Sequence, residues 1–121
     1  YPIVLSYSSS PAFTIDEATG ESTTASINSE CFRQIEYAGV LKNAKNPEGA
    51  RALLKFMQSK EFQAAMPDAN YVYPADTSVA LPDAWAKFAP ASESFVDVSK
   101  LNFDANRSKW QDQWRDIVTG K

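Results

Sequence analysis

Ile3-Val4-Leu5-Ser6-Tyr7-Ser8-Ser9-Ser10-Pro11-Ala12-Phe13 is the stretch on which the fold turns. Three consecutive apolar residues break into an aromatic, three serines and a Ser-Pro step. A short apolar run bounded by turn residues is the pattern of a buried strand, so residues 1–7 are predicted as one. Ser10 and Pro11 predict the cap and first position of a short helix, because a Ser hydroxyl accepts orphan N–H groups and Pro has none to satisfy. A strand that ends at a helix start gathers N–H groups, hydroxyls and rings at one spot. Such a spot suits a small polar or cationic ligand.

Working outward, Thr19-Gly20-Glu21-Ser22-Thr23-Thr24 sits in a polar stretch, residues 18–28, that reads as an exposed loop. Residues 32–41 carry strand formers with partial alternation, as in a strand crossing between two lobes. Gly39 within it predicts a bend or a close backbone approach. Asn46-Pro47-Glu48 is a helix start, with a capping side chain, a proline at the first position and an acid near the positive end of the dipole. Ala50, Leu53, Leu54 and Met57 follow at helical spacing as its inner face. Ser59 predicts a second cap, with Phe62, Ala65 and Met66 inward and Pro67 ending that helix. Residues 82–88 predict one or two helical turns. Phe103, Trp110, Trp114, Ile117 and Val118 form one stripe of a last helix that Gly120 ends. The Trp110/Trp114 pair at this spacing predicts core packing.

Composition narrows the chemistry. The 121 residues suffice for one domain with a core. A net charge of −3 gives no basic footprint for nucleic acid. No apolar run approaches the roughly 18 residues of a membrane span. The chain has no His, which removes the commonest general base and metal ligand. A Ser-His or Cys-His catalytic pair therefore cannot be built from it. Cys31 is the single cysteine, so no internal disulfide forms; it reads as a small apolar residue, a reactive thiol or a bridge to a partner. No cofactor is expected: a Gly-rich phosphate loop is absent, and no Asp/Glu cluster has metal spacing.

Three groups can touch a ligand. Tyr7, Phe13, Tyr71 and Tyr73 offer rings for a cationic aromatic molecule, by stacking and cation–π contact; filling a core is the alternative for each. Ser8, Ser9 and Ser10 suit a phosphate or hydroxyl, or else simple capping. Glu36 lies in a strand-like run, where it pairs with Arg33 or a lysine, or receives a ligand amino group.

The chain resembles the C-terminal part of periplasmic substrate-binding proteins of ABC transporters, within the type II periplasmic-binding-protein superfamily, and most of all the thiamine-binding branch. Four segments carry this. They are Val4 through Phe13; Gln34-Ile35-Glu36; Lys45-Asn46-Pro47-Glu48 through Phe56-Met57-Gln58-Ser59 and Glu61-Phe62-Gln63; and Met66-Pro67, Asn70-Tyr71-Val72-Tyr73-Pro74 and Leu81-Pro82 ahead of the Trp110/Trp114 helix. The resemblance implies an α/β protein of two lobes that closes on thiamine or thiamine phosphates and delivers it to membrane permease subunits. By motif position, the ligand contacts would be Tyr7, Ser8, Ser9, Phe13, Asn70 and Tyr71, with Ser10, Glu36 and Tyr73 behind them. Phe13 matches a position that is usually Tyr, and Tyr71 one that is often Trp.

The same resemblance implies a layout. Residues 1–30 form the second-lobe strand, helix start and loop. Residues 31–37 cross the hinge, 38–90 pack in the first lobe, and 91–121 return to the second. It also implies a partner in an N-terminal portion of the same protein, and a periplasmic or extracellular location, with lipid anchoring as an option. Two neighbouring activities compete: an iron(III)-binding relative, which would need adjacent tyrosines that this chain lacks, and a thiamine-cleaving enzyme with Cys31 as nucleophile. A third reading is an interaction module without a ligand.

Overall fold

The computed structural model describes residues 2–29 and 31–121. Tyr1, in the predicted first strand, and Glu30, at the end of the predicted first segment, lie outside the described residues. Among the described residues four helices follow in order: α1 (Pro47–Met57), α2 (Lys60–Asn70), α3 (Asp83–Phe88) and α4 (Phe103–Thr119). Two short 3-10 turns accompany them, Ser10–Phe13 and Val98–Lys100.

Local signals built the helices where the sequence placed them. The Asn46 side chain accepts the Gly49 N–H at 2.9 Å, with Pro47 in the first turn of α1. The Ser59 hydroxyl accepts the Phe62 N–H at 3.2 Å and starts α2. Phe56 and Phe62 meet edge to face, centroids 5.6 Å apart, and join α1 to α2. Leu54, Met57, Phe62 and Met66 are half-buried, while Leu53 and Ala65, expected inside, are exposed.

Pro67 does not end α2. The ring is buried and the helix continues to Asn70. Proline costs one hydrogen bond from its missing N–H, but its own carbonyl still accepts the Tyr71 N–H at 3.0 Å. The stop comes at Tyr71, whose φ of 58° is left-handed. Gln63 reinforces the corner. Its amide donates to the Met57 carbonyl at 2.7 Å and accepts the Ala75 N–H at 2.7 Å.

The sheet half of the α/β expectation is not met. Among the described residues the only strand pairings are two isolated bridges, Ile15 with Ser22 and Cys31 with Phe95. Ile3, Val4 and Leu5 are exposed, Leu5 at 91%, and residues 32–39 are exposed throughout. A strand satisfies its N–H and C=O groups only through a neighbour, and no described segment forms a strand pairing with either of these two. Around Gly39 no atom approaches within 4 Å of where a Cβ would stand, so it makes no close approach.

The apolar stripe of α4 is equally uncovered. Asn102 caps the helix and Gly120, at φ 70°, ends it. Phe103 meets Trp110 edge to face at 5.6 Å. Trp114, Ile117 and Val118 are nevertheless 60%, 75% and 61% exposed, so the predicted core packing of Trp114 does not form. The core sits elsewhere. Trp85 of α3 is buried with Ala12 and Ala89, and Tyr73 and Leu81 pack against them. This cluster joins the Ser10–Phe13 turn to α3.

Candidate functional site

The site grows from the docking of residues 8–13 on residues 71–73. Pro11 enters the 3-10 turn as predicted, but the cap position is Ser9, one residue before the expected Ser10, and it makes no side-chain cap. Its hydroxyl instead donates to the Tyr71 carbonyl at 3.1 Å, and Ser9 is 4% exposed. A buried hydroxyl needs a partner, and this one ties together residues 62 positions apart. Ser10 shares a 2.7 Å hydrogen bond with Ser6.

Tyr73 completes the joint. Its phenol donates to the Ala89 carbonyl at 3.1 Å. Its single proton being spent there, the Ser8 hydroxyl is the donor in their 3.2 Å contact. Burial pushes the Tyr73 phenol above its ordinary pKa, and the bond from Ser8 offsets part of that rise. The Ser26 hydroxyl donates to the Ser8 carbonyl at 3.2 Å and holds the serine run from its other side. Ser8 and Ser9 are thus engaged within the protein.

Four rings stand on this frame. Phe13 meets Tyr71 at 4.7 Å and Trp85 at 5.5 Å, and Tyr73 meets Trp85 at 5.1 Å, all edge to face. Trp85 is the buried member, and its indole N–H has no partner among the described residues. Phe13 and Tyr71 are partly open, and Tyr71 and Tyr7 are 61% and 71% exposed. The sequence grouped Tyr7, Phe13, Tyr71 and Tyr73 but missed Trp85. Its place in the predicted 82–88 turn was legible, but its contacts with Phe13 and Tyr73 join segments far apart in the chain.

All the residues proposed as contacts, Tyr7, Ser8, Ser9, Phe13, Asn70 and Tyr71, line one open concavity, together with Ser10, Glu36 and Tyr73. Its volume is about 2620 Å³. Small-molecule sites are typically 300–1,000 Å³. The concavity is therefore far larger and more open than an enclosed small-molecule pocket. Glu36 makes no ion pair among the described residues, and its expected partner Arg33 lies over the Phe95 ring instead, 3.5 Å from the centroid. Cys31 is a free, half-buried thiol whose hydrogen points to the Asn28 side-chain oxygen at 3.8 Å. Among the described residues no three His, Cys, Asp or Glu side chains cluster as metal ligands, and no helix is long and apolar enough to cross a membrane.

Comparison with known proteins gives one consistent result. The chain is 35% identical over 118 residues to the thiamine-binding periplasmic protein of Salmonella typhimurium, covering 97% of this chain and 36% of that one. The thiamine-binding periplasmic protein of Escherichia coli is 33% identical over the same shares. That of Brucella melitensis is 34% identical over 116 residues, 93% of this chain and 34% of its own. The chain thus spans about a third of the length of these curated relatives, and the resemblance read from the sequence holds over nearly all of it. No family model and no solved structure matches it.

Proposed function

We propose that this chain forms one wall of a thiamine-binding site, in a periplasmic substrate-binding protein that closes on thiamine or its phosphate esters and passes them to the permease of an ABC importer. The observation that carries this reading is the Ser9–Tyr71 hydrogen bond with the Phe13–Tyr71 ring contact beside it. It brings together the two sequence segments that most resemble the thiamine-binding branch. The named relatives over 97% of the chain support the same ligand and the same compartment.

In this reading Tyr7, Phe13 and Tyr71 offer faces to the cationic and aromatic parts of the ligand. Asn70 offers an amide at the rim. Ser8, Ser9 and Tyr73 hold those rings in place. Glu36 stands near the crossover as a carboxylate for an amino group. The proposed layout keeps residues 1–30 and 91–121 with one lobe, 31–37 as crossover and the early part of 38–90 with the other; the Ala12–Trp85 core packs residues 71–89 onto residues 8–13, so that part of 38–90 belongs to the same wall as the serine run. The opposing wall comes from the remaining length of the relatives.

The role is binding rather than catalysis. The thiol of Cys31 engages an amide oxygen, and the chain holds no His to activate it. Iron(III) would draw on phenolates, but the Tyr73 phenol is shifted toward its neutral form and donates to a carbonyl. The test is a thiamine titration of the protein at its natural full length, read by tryptophan fluorescence and melting temperature. Saturable quenching with a rise in Tm supports the reading. No response at millimolar thiamine, with a response to another organic cation, overturns it.

A further inference from the structure

Among the described residues, Arg33 is the only one of the twelve Lys and Arg that lines the concavity. It is also held in a defined pose. Its guanidinium carbon sits 3.5 Å from the centroid of the Phe95 ring, and Phe95 itself is fixed where Cys31 bridges to it and the Val96 N–H bonds the Cys31 carbonyl at 3.0 Å. A guanidinium laid over a ring uses its face for that contact and keeps its N–H donors, which lie in its plane, for other partners. Among the described residues no carboxylate pairs with it. Its rotamers are restricted by the ring before any ligand arrives, so less entropy is lost when an anion binds.

The charge pattern is informative. Aromatic rings attract a cationic ligand, whereas a guanidinium in the same concavity repels one. The two are compatible for a ligand with a cationic aromatic part and an anionic group, which is the make-up of a phosphate ester of thiamine. We infer that Arg33, stacked on Phe95, is a specificity-determining residue that contacts the phosphate and makes this site prefer thiamine phosphates over free thiamine. The inference rests on the thiamine reading above and adds to it a selector for phosphorylation state.

The experiment compares dissociation constants for thiamine and thiamine monophosphate in the full-length protein, with Arg33→Gln, Arg33→Lys and Phe95→Leu variants. Arg33→Gln should weaken thiamine monophosphate by about tenfold or more, the scale of a charge-assisted hydrogen bond, and leave thiamine unweakened. Arg33→Lys, which keeps the charge but loses the fork, should fall between. Phe95→Leu should lose part of the same preference by freeing the guanidinium. The wild-type preference should also shrink as salt is raised. Thiamine binding serves as the control for folding, since a damaged fold weakens both ligands alike. Equal loss for both ligands, or no loss for either, overturns the role of Arg33 and leaves the thiamine reading standing. Failure of both ligands to bind the wild-type protein overturns both.

Discussion

At the scale of single residues, the site divides into rings that face solvent and side chains that hold them. Tyr7 belongs to the first kind, being 71% exposed. Tyr7→Ala should weaken thiamine binding by about 1–3 kcal/mol through lost stacking, with little change in melting temperature. Unfolding of the variant, measured by circular dichroism, would assign the ring to packing instead. Tyr73 belongs to the second kind. Tyr73→Phe removes the bond to the Ala89 carbonyl and the acceptor for Ser8, and should cost about 1–2 kcal/mol of stability. The phenol also links stability to alkaline pH. Its folded pKa is raised above the ordinary 10.0, so its contribution is complete below pH 10 and is lost as pH climbs through the folded value, because the unfolded chain sheds that proton first. Urea titrations from pH 8 to 11 should show a steeper alkaline decline for the native protein than for Tyr73→Phe.

At the scale of elements, α1 gives a test of its cap. A Cβ on Gly49 would stand 2.5 Å from the Asn46 amide nitrogen and 2.9 Å from its Cγ, so alanine there displaces the capping side chain. Gly→Ala inside a helix is otherwise favourable by about 1 kcal/mol, while loss of an Asn cap costs about 0.5–2 kcal/mol. Gly49→Ala should therefore be neutral or destabilising beside Asn46, yet stabilising by about 1 kcal/mol in an Asn46→Ala background. A double-mutant cycle on thermal unfolding measures the coupling, and additivity within error would dismiss it. The same element shows why some of the structure was readable. Asn46, Pro47, Ser59 and Gly120 act within one turn of chain, so their meaning is present in the local sequence. The strands were not readable in the same way. Residues 3–5 and 32–39 have strand composition, but a strand is completed by neighbours that local pattern does not name. Pro67 misled because proline removes only its own N–H from the ladder, and its carbonyl still accepts the Tyr71 N–H. In the site, Tyr71 and Phe13 were legible as rings beside turn residues. Trp85 behind them and the Arg33–Phe95 stack were not, since each depends on contact between distant segments.

At the scale of the whole molecule, the surface area shows how little of the chain is packed. The accessible area is 10204 Å² for 13.4 kDa. A compact protein of that mass exposes about 6,500 Å². The exposed 3–5 run, residues 32–39 and the outer stripe of α4 contribute to the excess. Among the described residues, one small cluster around Trp85 therefore holds the buried apolar core, and it also positions Phe13 and Tyr73. This makes a sharp contrast between two tryptophans. Trp85→Ala empties the core and should cost about 3–5 kcal/mol, a large share of the 5–15 kcal/mol by which domains are stable. It should also release the serine run from Tyr71 and abolish thiamine binding with it. Trp114→Ala, on the open stripe of α4, should change stability by about 0.5 kcal/mol. Melting curves of both variants in the isolated 121-residue chain measure the difference. An equal loss for Trp114 would mean that the α4 stripe is covered in solution, by a second copy if the loss depends on protein concentration. The same pair in the full-length protein then reports what covers it. A Trp114 cost that rises from near zero in this 121-residue chain to core magnitude in a form carrying the relatives' further length would place the α4 stripe against that added length, and the proposed site would then share its stability with that interface.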